Sequence, residues 1–220
     1  MPLVVGNEDI TGVSLTTDKP PSIRGRFVTD AGVTRPLPQG LEVTALAARV
    51  NGTVISHASD PVFELNDLAD PFYFRVTIPD GWTVKAITIG GADVTDTRIT
   101  LPHGQQAEAR IVISNRATNV SGMITKAGRP VKADVVIFPA DQAKWVFPTR
   151  YIRRADADDQ GRFRVTGLPP YERYLAIAPE YLEEGEQIDP EFLDRVREMA
   201  FPFALGEDEA RTLDLPVFER

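Results

Sequence analysis

The side chains best suited to holding a ligand are concentrated in residues 144–154, KWVFPTRYIRR. Trp145, Phe147 and Tyr151 stand there among Lys144, Arg150, Arg153 and Arg154, in a chain whose formal net charge is -8. Exposed aromatic faces with cations between them could stack on sugar rings or on peptide side chains. Loops carried by a rigid scaffold are where such contacts gather. The candidate ligand-binding residues are therefore Trp145, Phe147, Arg150, Tyr151 and Arg153. An architectural alternative uses the same residues: the loop folds over a sheet edge, buries Trp145 and pairs its arginines with Glu183, Glu184 and Glu186. Burying a Trp removes a large apolar area from water, and this favours the alternative.

Other chemistry is sparse. His57 and His103 fall at turns or strand ends, with no Ser or Asp at a spacing that suggests a triad, so no catalytic residue is assigned and the chain is read as no enzyme. Residues 156–161, DADDQG, carry oxygen ligands at the first, third and fifth positions and Gly at the sixth, as a calcium loop does. Gly167 stands where the closing bidentate Glu is needed. The stretch is therefore read as a hairpin turn between 152–155 and 161–166, with no metal. With Cys 0, disulfides, thiolate metal sites and cysteine nucleophiles are all excluded. No cofactor is expected.

The elements that must position these residues are strands. In residues 159–178, Phe163 and Val165 alternate with Arg162, Arg164 and Thr166, the period of a strand with one buried face. Gly167 and Pro169-Pro170 stop it, Leu168 between them reads as a plug turned into the core, and 174–178 resumes extended chain. In 72–78, Phe72, Phe74, Val76 and Ile78 share one face, which is core. Further strands are expected near 23–29, 41–49, 53–58, 82–89 and 107–114, separated by turn signals at Asn51-Gly52, Pro79-Asp80-Gly81 and Gly90-Gly91. Residues 133–138 form a continuous apolar strand. One helix is expected after Asp189, a good N-cap, with Pro190 at the first position and Phe192, Val196 and Met199 on one face.

The chain also repeats itself. Opening segments at 22–32 and 119–128 each carry a central Gly, and FELNDL at 63–68 echoes FRVTGL at 163–168. Closing segments at 5–15, 103–113 and 205–215 each set a Gly-opened polar turn before a strand. A period of about 100 residues is a whole small domain. This divides the chain into 1–20, the closing strand of a preceding repeat or a borrowed edge strand, a β-sandwich at 21–117 and a second at 118–220. The expected fold is all-β, with two tandem Ig-like or transthyretin-like antiparallel β-sandwiches, the second bearing one short helix. The link between them is short, so they should keep a preferred angle. The first segment implies a chain cut from a longer protein, which leaves signals, anchors and enzymes outside view.

The residues Val120-Ser-Gly-x-Ile124, Gly128-x-Pro130-Val131, Val135 to Phe138-Pro139, Asp158-x-x-Gly161-x-Phe163 and Gly167-Leu-Pro-Pro170-x-x-x-Tyr174 resemble the carboxypeptidase regulatory-like domain. The similarity covers 119–217 well and 20–116 weakly. It departs at Tyr171, where the family has Gly, and in the first unit at Asn66-Asp67-Leu68-Ala69-Asp70. The resemblance implies a transthyretin-like sandwich of exported bacterial proteins, extracellular, periplasmic or on the cell surface, and carries over no catalytic residue. The expected function is a non-catalytic accessory, spacer or interaction module, the alternative being a carbohydrate-binding module that uses 144–154. Expected partners are other domains of the parent chain and a polysaccharide or protein ligand. The acidic balance argues against nucleic acid, and no apolar run is long enough for direct membrane insertion.

Overall fold

The computed structural model describes residues 18–47, 53–57, 61–69, 71–146 and 148–219, with the backbone alone for 53–57. The closing strand expected in 1–20 falls almost wholly outside them, as does the Asn51-Gly52 turn.

Two all-β sandwiches follow one another. In the first lobe the strands are β1 (Ser22–Thr29), β2 (Glu42–Ala47), β3 (Thr53–His57), β4 (Val62–Leu65), β5 (Phe72–Thr77), β6 (Thr83–Ile89), β7 (Ala92–Asp93) and β8 (Gln106–Ser114). One sheet runs β4-β1-β8-β6-β7 and the other β3-β2-β5. Their inner faces follow from alternation: Ile23 and Phe27 on β1, Ala107, Ala109, Ile111 and Ile113 on β8, and Phe72 and Phe74 on β5 all enter one core. Val76 and Ile78 pack against it half-buried, as their place on the face of Phe72 predicts.

The second lobe comprises β9 (Asn119–Lys126), β10 (Arg129–Pro130), β11 (Asp134–Pro139), β12 (Arg153–Asp156), β13 (Arg162–Thr166), β14 (Glu172–Pro179), helix α1 (Pro190–Val196), β15 (Phe201–Leu205) and β16 (Ala210–Phe218). Strands β10-β9-β16, with β13 on the other part of β9, form one face, and β12-β11-β14-β15 form the other. A short parallel pairing of β14 with β16 at Ala178 and Pro179 joins them. After Asp134, β11 is apolar because both its faces are covered. Val135 and Ile137 enter the sandwich core, while Val136 and Phe138 face a second cluster built with Phe192, Leu193 and Val196 of α1. Asp189 caps α1 by accepting the Glu191 N–H at 3.0 Å. The helix stops at Val196, so Met199 does not extend its buried face and is exposed.

The lobes share an internal plan. In each, the opening strand lies between an antiparallel partner and a parallel closing strand: β4-β1-β8 in the first, β13-β9-β16 in the second. Each sandwich is therefore antiparallel apart from such pairings. Gly25 pairs with Phe63 and Gly122 with Phe163. A Cβ on Gly25 would lie 2.1 Å from the Phe63 ring, and one on Gly122 would lie 1.7 Å from the Leu213 carbonyl oxygen. The central Gly of both opening segments thus makes room for its neighbours. Asp67 and Gly167 both take left-handed backbone, with φ of 54° and 74°, and each turns the next residue, Leu68 or Leu168, into its core. The unlike sequences NDLA and GLPP therefore build the same corner.

One strand expectation is corrected. β12 and β13 are not a hairpin: β12 pairs with β11 and β13 with β9, in opposite sheets. The turn between them carries the chain across the sandwich. Ala157 is buried and donates its N–H to Ala133, and the Asp158 carboxylate accepts the N–H groups of Gln160 and Arg162.

Candidate binding surface at the junction of the lobes

Residues 144–154 leave the end of β11 and return into β12. Asp141 accepts the Ala143 N–H at 3.0 Å and starts a single 3₁₀ turn, Gln142–Lys144, that swings Trp145 back onto the outer face of β11. Its indole N–H donates to the Pro139 carbonyl at 2.8 Å, and its ring meets Phe138 edge-on with centroids 5.8 Å apart. Trp145 is 6% exposed. It is a core residue of the layer between β11 and α1, and presents no face on which a sugar could stack. Phe147 lies outside the described residues.

Arg150 and Tyr151 reach the other lobe. The Arg150 Nε and Nη2 donate to the two carboxylate oxygens of Asp96, at 2.8 and 3.0 Å, and Nη1 donates to the Val84 carbonyl at 2.8 Å. The Tyr151 hydroxyl donates to Asp96 at 2.9 Å. This parallel fork is the strong geometry for a guanidinium and a carboxylate. Burial acts to lower the Arg150 pKa, but the bonds to Asp96 outweigh it and the net shift is upward. Burial raises the pKa of the Tyr151 phenol.

The expected pairing with Glu183, Glu184 and Glu186 is not what forms. Arg150 takes Asp96, Arg154 takes Asp134 at 3.0 Å, and Lys144 takes Glu172. Glu186 instead faces Arg195 at 3.6 Å. The loop lies against the other lobe, and this brings a carboxylate closer than the acidic run beyond β14. Arg153 is half-buried, and its Nη1 donates only to the carbonyl of Ile152 at 3.1 Å.

A second set of charges crosses the junction nearby. The Lys85 ammonium sits between Asp30 of its own lobe, at 3.0 Å, and Glu207 of the other, at 2.6 Å. Arg116, in the link at residues 115–118, contacts the same two carboxylates at 2.7 and 3.5 Å. The hydrogen bond from Lys85 holds Asp30 and Glu207 below their usual carboxylate range, and Glu207 foremost raises Lys85. The link is itself fixed: Thr118 donates its hydroxyl to the Leu168 carbonyl at 2.7 Å and accepts the Gly167 N–H at 3.0 Å. Gly167 also approaches the first lobe, since a Cβ there would lie 3.6 Å from the Trp82 carbonyl oxygen. Asp30, Lys85, Asp96, Arg116 and Glu207 were not legible as a set. Each is an ordinary charged residue of a strand, turn or link, and only the junction joins them.

A cavity of about 550 Å³ opens between the lobes, lined by β5, β6, the approach to β12 and Gln187. No group of three or more His, Asp or Glu side chains able to hold a metal occurs among the described residues. The Asp158 carboxylate of the calcium-like stretch is occupied by its own turn and by the Arg162 guanidinium at 3.0 Å. His103 is exposed on a turn, and the side chain of His57 lies outside what is described. None of the described residues forms a helix long and apolar enough to cross a membrane.

No family model matches the chain. No curated protein matches it either. Among solved structures it is similar to the TIE protein of Bacillus anthracis, at 12% identity over 90% of this chain and 34% of that one, with a TM-score of 0.31. It is also similar to the major pilin RrgB of Streptococcus pneumoniae, at 11% identity over 91% and 49%, with a TM-score of 0.28. GBS52, the minor pilin of Streptococcus agalactiae, gives 9% identity over 89% and 94%, with a TM-score of 0.36. The chain thus spans about a third of the first and half of the second. Likenesses this distant transfer no function, and the description of the fold rests on the strands themselves.

Proposed function

We propose that the chain is a non-catalytic accessory module, a rigid spacer or interaction unit within a larger exported bacterial protein. The observation that carries this reading is the junction. A carboxylate of each lobe is held by a cation of the other, Asp96 by Arg150 and Glu207 by Lys85, across a link of only residues 115–118. Two sandwiches tied at two separate points keep one mutual angle and hold whatever they connect at a fixed separation. The proposed units are 21–117 and 118–220, with 1–20 belonging to a preceding repeat or to the first edge. The resemblance to carboxypeptidase regulatory-like domains supports export and an extracellular, periplasmic or cell-surface setting, with other domains of the parent chain as partners. Tyr171, which stands where that motif has Gly, adopts φ of 62°, a left-handed conformation that Gly takes without strain. Trp145 and Tyr151, the residues a carbohydrate-binding reading depends on, are engaged with the core and with Asp96.

The test uses the absence of native cysteines. Spin labels at Glu108→Cys on β8 and Asp214→Cys on β16, both exposed sites, report the distance between lobes by double electron–electron resonance. One narrow distance is expected. A broad distribution would contradict the spacer.

A further inference from the structure

The cavity between the lobes has an unusual wall. Four arginines line it, Arg75, Arg150, Arg153 and Arg154. Two are neutralised, Arg150 by Asp96 and Arg154 by Asp134. The other two form no ion pair among the described residues. Arg75 is exposed on β5, and Arg153 is half-buried at the start of β12. The charged groups facing Arg153 are like-charged, Arg75 and Arg150, and the Tyr174 phenol is the remaining titratable neighbour. Burial, followed by those two cations, lowers the Arg153 pKa.

A guanidinium taken partly out of water and set beside two others is unfavourable unless an anion joins it. Elsewhere at this junction each cation has found a carboxylate, so the exception is local. Apolar side chains, Val76, Ile78 and Ile188, supply the adjoining wall. A concave, mostly apolar site with a few convergent polar groups is the usual form of a small-molecule pocket.

We propose that this cavity binds a small organic monoanion, its carboxylate held between Arg153 and Arg75 and its apolar body lying along Val76, Ile78 and Ile188. A single charge fits better than two. Asp80 and Asp96 also line the cavity and would repel a dianion, while the planar guanidinium matches a planar carboxylate. Such a ligand would touch both lobes, and its binding would add a third tie across the junction. The proposal does not depend on the spacer reading, since an anion can bind whichever larger protein the chain serves.

The test is a titration of ¹⁵N-labelled protein followed by amide shifts, with phenylacetate, its neutral isostere phenylacetamide and inorganic phosphate as probes. Phenylacetate is expected to give saturable shifts at Ile188 and Thr77, with affinity at least tenfold above that of the amide or phosphate. Arg153→Gln should weaken phenylacetate by at least about tenfold, equal to roughly 1.4 kcal/mol. Arg75→Gln, at an exposed position where folding is not at stake, should weaken it in the same direction. No saturable shift with phenylacetate would overturn the proposal. So would equal binding of phenylacetamide or phosphate, or unchanged affinity in Arg75→Gln.

Discussion

The fork between Arg150 and Asp96 offers the sharpest energetic test of the junction. Asp96→Ala removes the acceptor of two charge-assisted bonds from Arg150, and of one from Tyr151. The side chains are 25% and 36% exposed, so the pair is neither a surface nor a buried ion pair. Breaking a fully buried pair costs about 3–5 kcal/mol, whereas an exposed one contributes about 0–1 kcal/mol. With solvent screening at this exposure, the expected loss is about 2 kcal/mol, which shifts docking of the lobes by roughly 30-fold. Asp96→Ala, Arg150→Ala and the double variant form a cycle that separates coupling from local damage. Urea unfolding of the four proteins should give a coupling of about 1.5–2 kcal/mol. A coupling below about 0.5 kcal/mol would refute the reasoning, because the fork would then hold nothing that water does not replace.

Three further outcomes follow from the same geometry. Trp145→Ala empties a site packed by Phe138 and α1 and should destabilise the second lobe by about 3–5 kcal/mol, read by thermal unfolding; a variant that melts unchanged would mean the indole is not a core residue. Tyr171→Gly relieves left-handed strain of about 1–2 kcal/mol against an unfolded-chain entropy cost of about 0.5–1 kcal/mol, so a gain near 0.5 kcal/mol is expected in urea melts. A loss above about 1 kcal/mol would contradict that assignment. The Lys85 clamp predicts a pH profile for the distance between spin labels. Asp30 and Glu207 have folded values depressed from 3.8 and 4.5, so their contribution is full above those values and is lost as pH falls through the lower folded ones. Lys85 is raised from 10.5, so its share is full below that value and lost only above the raised one. The distance should hold from about pH 5 to 10 and broaden in acid below about pH 4; broadening near neutrality would contradict the clamp.

The strands and their buried faces were legible because alternation and turn chemistry are local. Phe163, Val165, Leu168 and the run in β11 identify their own environments. The pairing of β12 was not legible. Two short strands around a tight turn suit a hairpin, and only the long-range pairing of β12 with β11 and of β13 with β9 shows that the chain crosses between sheets. The site was half legible. The loop at 144–154 was found through its aromatic and basic residues, and the preference for burying Trp145 follows from apolar area alone. Its partner, Asp96, lies 54 residues from Arg150 and has no distinguishing neighbours in sequence. Long-range charge pairing of this kind exists only once the lobes have docked.

The proposed spacer requires the two sandwiches to move as one body. Residual dipolar couplings of backbone amides in weakly aligned medium measure this directly, since each rigid body reports its own alignment tensor. One tensor is expected to fit the amides of β1, β6 and β8 together with those of β9, β14 and β16. Two tensors of different magnitude or direction, each fitting one sandwich alone, would contradict it.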